Sequence, residues 1–261
     1  MSVLSSTSRD HLSPARVYRG RKGQVSYGTS VGILMLEADV PLIPGDVGNA
    51  TSYDFPVQYH LVPGATVETV IFRPDLGLRD TFIESARHLV DQGVRAITGD
   101  CAYMGIHQQA VADAVPVPVF LSSLLQVPML LTMLRSDQKL GVLVAGDDEL
   151  GDQLLSSAGI VGADRDRLAV AGLRSKPYWA QTILEQTGEL DFDRLESEVV
   201  ERAMELTAAE PSVGAFLFEC SDLPPYGAAV QRATGLPVFD WIGFVNYVHH
   251  AVVRKPYHGF I

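Results

Sequence analysis

VRAITGDCAYMGIHQQAVADAVPVPVFLSS at residues 94–123 and VGAFLFECSDLPPYGAAVQRATGLPVFDW at residues 213–241 are two copies of one pattern. In each, an apolar run of strand character leads into a cysteine, a stretch of helical character follows, and a Pro-Val-Phe run closes the unit. Cys101 and Cys220 lie 119 positions apart, and the Pro-Val-Phe runs at 118–120 and 237–239 keep the same offset. Self-similarity of this kind can fix an architecture before single elements are assigned. A fainter echo opens each copy: VGIL at 31–34 and LGVL at 140–143 are offset by 109, so the copies differ in loop length. The chain reads as two similar α/β halves.

Outward from these units, short β-branched or aliphatic runs alternate from about Val25 with stretches of helical period, the pattern of helices layered on mainly parallel sheets. Strands are expected at 31–36, 55–62, 94–98, 117–121, 139–145, 167–172, 213–218 and 236–239. The segment 79–93 puts Phe82, Ile83, Ala86, Leu89 and Val90 on one stripe, with Gly93 placed to stop the helix. The segment 191–210 repeats this with Leu195, Val199, Ala203 and Leu206 and opens on acids that suit a helix N-terminus. Between Leu36 and Asp54, Pro41, Pro44, Gly45 and Gly48 break any apolar period, so a long loop is expected beside the end of the first strand. The expected organisation is an N-terminal arm at 1–24, a first α/β domain of 25–136 plus 241–261, and a second of 137–240. A pseudo-twofold axis relates the halves, with the active site in the cleft between them.

The 261 residues carry 20 Lys and Arg against 31 Asp and Glu, a formal charge of −11, and 47% are hydrophobic. That content excludes a largely disordered chain. No basic run supplies the footprint that a phosphate backbone requires, so no nucleic-acid partner is expected. Nor does any stretch approach the ~20 consecutive apolar residues of a membrane span. The opening 24 residues are Ser- and Arg-rich without the apolar core of a signal peptide, and a cytoplasmic location is expected. Two cysteines can build neither a disulfide framework nor a Cys-based zinc site.

In open parallel sheets ligands gather outside the carboxyl ends of the strands, where both cysteines fall. A lone buried Cys is commonly a small hydrophobe, and a Cys101–Cys220 disulfide is disfavoured in a reducing compartment. The matched context points instead to chemistry, because a helix N-terminus lowers a thiol pKa from about 8.5 and supplies thiolate at neutral pH. Two opposed thiols suit the inversion of an acidic C–H centre, one removing a proton from one face and the other returning a proton to the opposite face. Backbone N–H groups at the two helix starts could hold a substrate carboxylate.

In TGDCAYMG at 98–105, FECSDLPPYG at 218–227 and the two Pro-Val-Phe strands, the chain resembles the aspartate/glutamate racemase superfamily, the cofactor-independent two-cysteine racemases of aspartate, glutamate and hydantoins. The resemblance implies two α/β domains with the site between them, no cofactor, frequently a homo-oligomer, and Cys101 and Cys220 as the acid/base pair. It carries substrate binding to Ala102 and Tyr103 after the first cysteine and to Ser221 and Asp222 after the second. Glutamate racemases usually show Asn-Thr and Thr-His at these places, which points away from strict glutamate specificity. The expected function is racemisation or epimerisation of an Asp/Glu-like amino acid or a related carboxylate or hydantoin. The alternatives are a maleate-isomerase-like cis–trans isomerase or lyase of the same superfamily, and a non-catalytic protein that binds a small metabolite.

Asp100 and Glu219 precede the two cysteines; they either hold the thiols protonated or point away along the emerging strand. Ser221 or Asp222 reads as a helix cap before Pro224. Ser122 and Ser123, and Asp240 and Trp241, follow the Pro-Val-Phe strands near the cleft, and Asn49, Thr51 and Ser52 lie in the long loop, with Asn49 and Ser122 taken as substrate contacts. Arg73 reads as a surface charge, and His249 with His250 as a packed or surface pair without metal-ligand spacing. No phosphate-binding glycine motif follows a strand, and none of the four lysines has a Schiff-base setting, so neither nucleotide nor pyridoxal phosphate is expected.

Overall fold

The computed structural model describes residue 20 and residues 22–147 and 149–260, so most of the expected N-terminal arm lies outside the described residues. Two four-stranded sheets carry the same strand order. The first contains β1 (Val31–Glu37), β2 (Val57–Thr66), β3 (Ala96–Gly99) and β4 (Val119–Phe120), ordered β2-β1-β3-β4. The second contains β5 (Lys139–Val144), β6 (Leu168–Gly172), β7 (Val213–Phe218) and β8 (Val238–Phe239), ordered β6-β5-β7-β8. Every pairing is parallel.

All eight expected strands are present, and their lengths differ from expectation for a local reason. The Pro-Val-Phe strands β4 and β8 shrink to two residues each, because a proline donates nothing to a ladder and belongs at a strand start or an edge. Pro118 and Pro237 contribute only carbonyls, to Ile97 N and Phe216 N at 2.9 and 2.8 Å. β2 instead runs four residues beyond its expected end and passes through Pro63, which its edge position tolerates. The echoed glycines sit in the central strands, where space is short: a Cβ on Gly32 would lie 2.9 Å from Leu89, and one on Gly141 would lie 3.0 Å from Phe216.

In the first half, α1 (Arg79–Asp91) covers β1 and β2, and α2 (Gln108–Ala114) and α3 (Val127–Met133) follow. Phe82, Ala86 and Leu89 of the expected stripe are buried, and Gly93 ends the run with φ 97°, where a side chain would be strained. In the second half come α4 (Asp152–Ser157), α5 (Ala163–Asp166), α6 (Pro177–Trp179), α7 (Phe192–Ala209) and α8 (Gly227–Thr234). Asp191 caps α7 by accepting from Arg194 N at 3.2 Å, and Leu195, Val199, Ala203 and Leu206 are all buried.

The chain closes on α9 (Trp241–Val252), which packs on β3 of the first sheet, while α3 packs on β5 of the second. Each sheet is therefore covered partly by the helix that follows the other half's last strand, and the inner faces share one core. Val31 and Ile33 of β1, Ala96 of β3, Leu140 and Val142 of β5, and Trp241 belong to that shared cluster. Alternate residues face outward into two further clusters, Leu34 and Ile97 under α1, and Leu143 and Phe216 under α7. No helix among the described residues is long and apolar enough to cross a membrane.

Trp241 fixes this exchange. It is fully buried, and its indole N–H donates to Thr98 Oγ1 in β3 at 3.0 Å. Trp241→Ala removes a large packed ring and the partner of a buried hydroxyl, so a loss of ~3–5 kcal/mol is expected in denaturant or thermal unfolding. A variant that unfolds within 1 °C of the parent would show that α9 contributes little to the shared core.

Candidate active site

Cys101 follows β3 after Gly99-Asp100, and Cys220 follows β7 after Glu219. Each stands in front of a 3₁₀ turn, Ala102–His107 and Pro224–Tyr226, and its carbonyl accepts the first hydrogen bond of the bend, from Met104 N at 3.0 Å and from Leu223 N at 3.3 Å. Both side chains are 8% exposed and open onto one cavity at the carboxyl ends of the two sheets, which Asp100, Ser221 and Asp222 also line. The duplicated cysteines thus share a cleft. Its remaining wall is apolar, with Leu36, Val40 and Leu42 from the first half's long loop region. A π-helical turn at Glu68–Phe72 brings Ile71 to it, and another at Ala180–Leu184 brings Ile183 and Leu184. π-helical turns recur where a fold must aim side chains at a site. Among the described residues, those lining the cavity include no Lys, Arg or His.

The matched acids do matched jobs. Both Asp100 carboxylate oxygens accept from Leu36 N, at 3.2 and 3.1 Å, and Glu219 Oε2 accepts from Ala145 N at 3.4 Å. In each half a buried carboxylate at the end of the third strand ties down the end of the first. Burial pushes Asp100 well above the usual carboxylate range and Glu219 up to about 7.

Both thiols are also raised well above the ordinary thiol range, first by burial. Negative charge adds to this: Glu219 and then Asp100 at Cys101, Asp222 and then Glu219 at Cys220. This corrects the expectation of a thiolate stabilised by a helix start. The α-helices proper begin only at Gln108 and Gly227, seven residues beyond each sulfur, and the single backbone N–H at each, from Tyr103 and Asp222, is outweighed by burial and the acids. Both cysteines are free thiols. The two differ in one respect. Cys220 Sγ donates to Asp222 Oδ2 at 3.1 Å, whereas the residue at the equivalent place after Cys101 is Tyr103.

No protein-family model matches the chain. It is 32% identical over 239 residues to dimethylsulfoniopropionate lyase 6 of Emiliania huxleyi (strain CCMP1516), covering 88% of this chain and 61% of that relative. Dimethylsulfoniopropionate lyase 7 of the same organism is 31% identical over 240 residues, covering 88% and 69%. The chain belongs to this lyase family. It spans about 61% of the length of the first such relatives. Among solved structures, unliganded arylmalonate decarboxylase superposes with a TM-score of 0.57 at 17% identity over 87% of this chain and 94% of that one. Allantoin racemase from Pseudomonas fluorescens gives 0.52 at 15% identity over 86% and 91%. Both likenesses are of fold alone.

The other expected contacts divide. Ser221 and Asp222 line the cavity, but neither caps the following turn; Leu223 occupies the cap position without a side-chain bond, and Pro224 opens the turn as expected. Asp222 is drawn to the thiol instead. Ala102 is fully buried, and neither it nor Tyr103 lines the cavity; burial and then the negative charge of Glu219, Cys101 and Cys220 raise the Tyr103 phenol. Ser122 is buried, caps the next turn through Leu124 N at 3.2 Å, and does not line the cavity. Asn49 lies outside it too: its side chain caps Thr51 N and donates to Leu42 O at 2.8 Å, so it reaches the cavity only by fixing Leu42. Ser123 and Asp240 join the halves, Ser123 Oγ donating to Glu219 O at 2.9 Å and Gln126 Nε2 to Asp240 O at 3.2 Å. Arg73 pairs with Glu68 at the surface. His249 stacks on Phe55 with ring centroids 3.5 Å apart and hydrogen-bonds Ser30 at 2.8 Å, as a packed histidine should. Among the described residues no His, Cys, Asp and Glu cluster could hold a metal ion.

Asp46 is the residue the sequence did not flag. It is 2% exposed, its Oδ1 accepts from Gly48 N at 2.6 Å, and its carboxyl hydrogen-bonds Asp222. Gly-Asp-Val-Gly in a loop reads as a turn, and only the folded chain brings it to Asp222.

Glu219 makes the buried charge measurable. Its folded pKa of about 7 lies above the ordinary value of 4.5, so its contribution to stability is fully present below pH 4.5 and is lost as pH rises through 7. Glu219→Gln keeps an acceptor for Ala145 N and removes the charge. It should therefore raise stability relative to the parent at pH 8, by on the order of 3 kcal/mol, and far less at pH 4. Equal effects in thermal melts at the two pH values would refute a buried ionising carboxylate.

Proposed function

We propose that this chain cleaves dimethylsulfoniopropionate by β-elimination, releasing dimethyl sulfide and acrylate. The observation that carries this reading is the character of the cavity: two carboxylates and two thiols on an apolar wall, with no basic side chain among the lining residues. A second carboxylate on the substrate, as in aspartate or glutamate, would meet negative charge there without a cation to pair it. A sulfonium is suited to the same surroundings, since its methyl groups match Ile71, Ile183 and Leu184 while its charge meets the Asp222 carboxylate. The names of the relatives point to the same substrate.

The chemistry asks for one base. A thiolate at Cys220 takes the proton from the carbon next to the substrate carboxylate; that C–H electron pair becomes the C=C bond, and the bond from the β-carbon to sulfur breaks with its electrons leaving on sulfur. The cation becomes neutral dimethyl sulfide, and the carboxylate leaves as acrylate. During proton removal negative charge grows on the carboxylate oxygens, and the Ser221 hydroxyl on the cavity wall receives it. Cys101, protonated on the opposite wall, serves as a further donor. An amino-acid racemase is the second reading, favoured by the paired cysteines themselves, but inversion needs two matched bases and only Cys220 has a carboxylate hydrogen-bonded to its sulfur.

Incubation of the full chain with dimethylsulfoniopropionate should give dimethyl sulfide in the headspace and equimolar acrylate in solution. Cys220→Ser should lower kcat by ~10²–10⁴-fold, the span of a general base. Inversion and Cα deuteration of single amino-acid enantiomers in deuterated water, without any release of dimethyl sulfide, would overturn the reading in favour of the racemase.

A further inference from the structure

The proton on Cys220 is held by more than the sulfur. Its thiol donates to Asp222 Oδ2 at 3.1 Å, Asp222 faces the cavity, and behind it the Asp46 carboxyl hydrogen-bonds the same side chain. Asp46 has no outlet to water. It is 2% exposed, burial and the charge of Asp222 raise it well above the usual carboxylate range, and its other bond is to Gly48 N. The arrangement is therefore a carboxylic acid donating to a carboxylate, which in turn accepts the thiol proton. Asp46 cannot retreat, because Ser52 Oγ donates to its carbonyl at 2.7 Å and accepts from Gly45 N at 2.8 Å, locking the turn. The charged and titratable groups facing this assembly are Asp100 at Asp46 and Asp222, Glu219 at Cys220 and Asp222, the Tyr103 phenol at Cys220, and the phenols of Tyr53, Tyr59 and Tyr226 around the two acids.

We propose that Asp222 accepts the Cys220 proton when a cationic substrate enters, and that Asp46 is the positioning residue that holds Asp222 to this task. The step balances without a further reactant: the S–H bond breaks, an O–H bond forms on Asp222, and one negative charge moves from carboxylate to sulfur. After the substrate proton returns Cys220 to the thiol, Asp222 gives its proton to water and the resting state is restored. In the first half Tyr103 stands where Asp222 stands in the second, so Cys101 has no such acceptor at that place. Asymmetry of this kind suits one base rather than two. The catalytic part of the inference rests on the elimination proposed above; the proton-holding part does not.

The test reads the thiol directly. In a Cys101→Ser background, the rate of Cys220 alkylation by iodoacetamide is followed by mass spectrometry against pH, together with dimethyl sulfide release. Asp222→Asn removes a charge that raises the thiol, so the alkylation midpoint should fall by about one unit or more while turnover drops at least ~10-fold. A more acidic thiol in a slower enzyme is a signature that mere structural damage does not produce. Asp46→Ala leaves Asp222 undivided between two donors, so the midpoint should rise and kcat fall with KM little changed. Asp46→Asn, which still donates to Asp222, should keep the parent midpoint and stay within ~3-fold of its kcat. Midpoints that stay put in both Asp222→Asn and Asp46→Ala, or Asp46→Asn as damaged as Asp46→Ala, would overturn the proposal. If the parent releases no dimethyl sulfide, the elimination reading fails, and the alkylation profiles still decide whether the acid pair holds the Cys220 proton.

Discussion

The site depends on two buried carboxylates that substitute for ordinary strand ends. Parallel strands stop at different heights, and their last N–H groups must find partners once the ladder ends. Asp100 supplies one to Leu36 and Glu219 one to Ala145, each acid standing immediately before a cysteine. That bond sets the direction in which the next residue leaves the sheet, so each thiol is aimed by the acid that precedes it. The cost is negative charge in a region from which water is largely excluded, and two properties follow from it. The thiols stay protonated at rest, and the carboxyls are pushed toward neutrality.

Much of this was readable from spacing. The offset of 119 between the cysteines and between the Pro-Val-Phe runs held because strand, bend, helix and strand have matching lengths in the two halves, and period-2 and period-3.6 patterning placed all eight strands and the faces of α1 and α7. The convergence of Cys101 and Cys220 on one cavity follows from that duplication. Readings that needed a single side chain's partner fared less well. A helix start was expected to make thiolates, but the 3₁₀ turns after the cysteines carry little dipole, and nothing in the local sequence weighs burial against a backbone N–H. Asp222 looked like a cap because Ser-Asp before Pro-Pro is a capping string; the thiol two residues back competes for the carboxylate and holds it. Asp46 was illegible because its partner is 176 positions away.

Duplication explains the architecture, and its failures locate the chemistry. Matched positions hold matched residues up to the cysteines: Gly32 with Gly141, Asp100 with Glu219, Cys101 with Cys220. Two residues later the copies part, tyrosine in one and aspartate in the other. The loops part as well, since the first half spends residues 38–56 between its first two strands and uses them to bring Asp46 to Asp222 of the second half. A fold built from two similar walls thus carries, two residues after its cysteines, a carboxylate hydrogen-bonded to the thiol on one wall and a tyrosine on the other.

The same charge distribution bears on how an elimination would be driven to completion. A zwitterionic substrate brings its cation to the carboxylates and so gains on entry; when the carbon–sulfur bond breaks, that cation disappears. What remains in the cavity is a neutral thioether, held only by apolar contacts, and an anion facing Asp100 and Asp222. Neither product retains the attraction that drew the substrate in, and the anion is repelled by Asp222 once that acid has given its proton to water. Binding strength is thereby lost at the bond-breaking step itself, and departure needs no separate conformational device. An enzyme that inverted a centre could not use this arrangement, because its substrate and product carry identical charge.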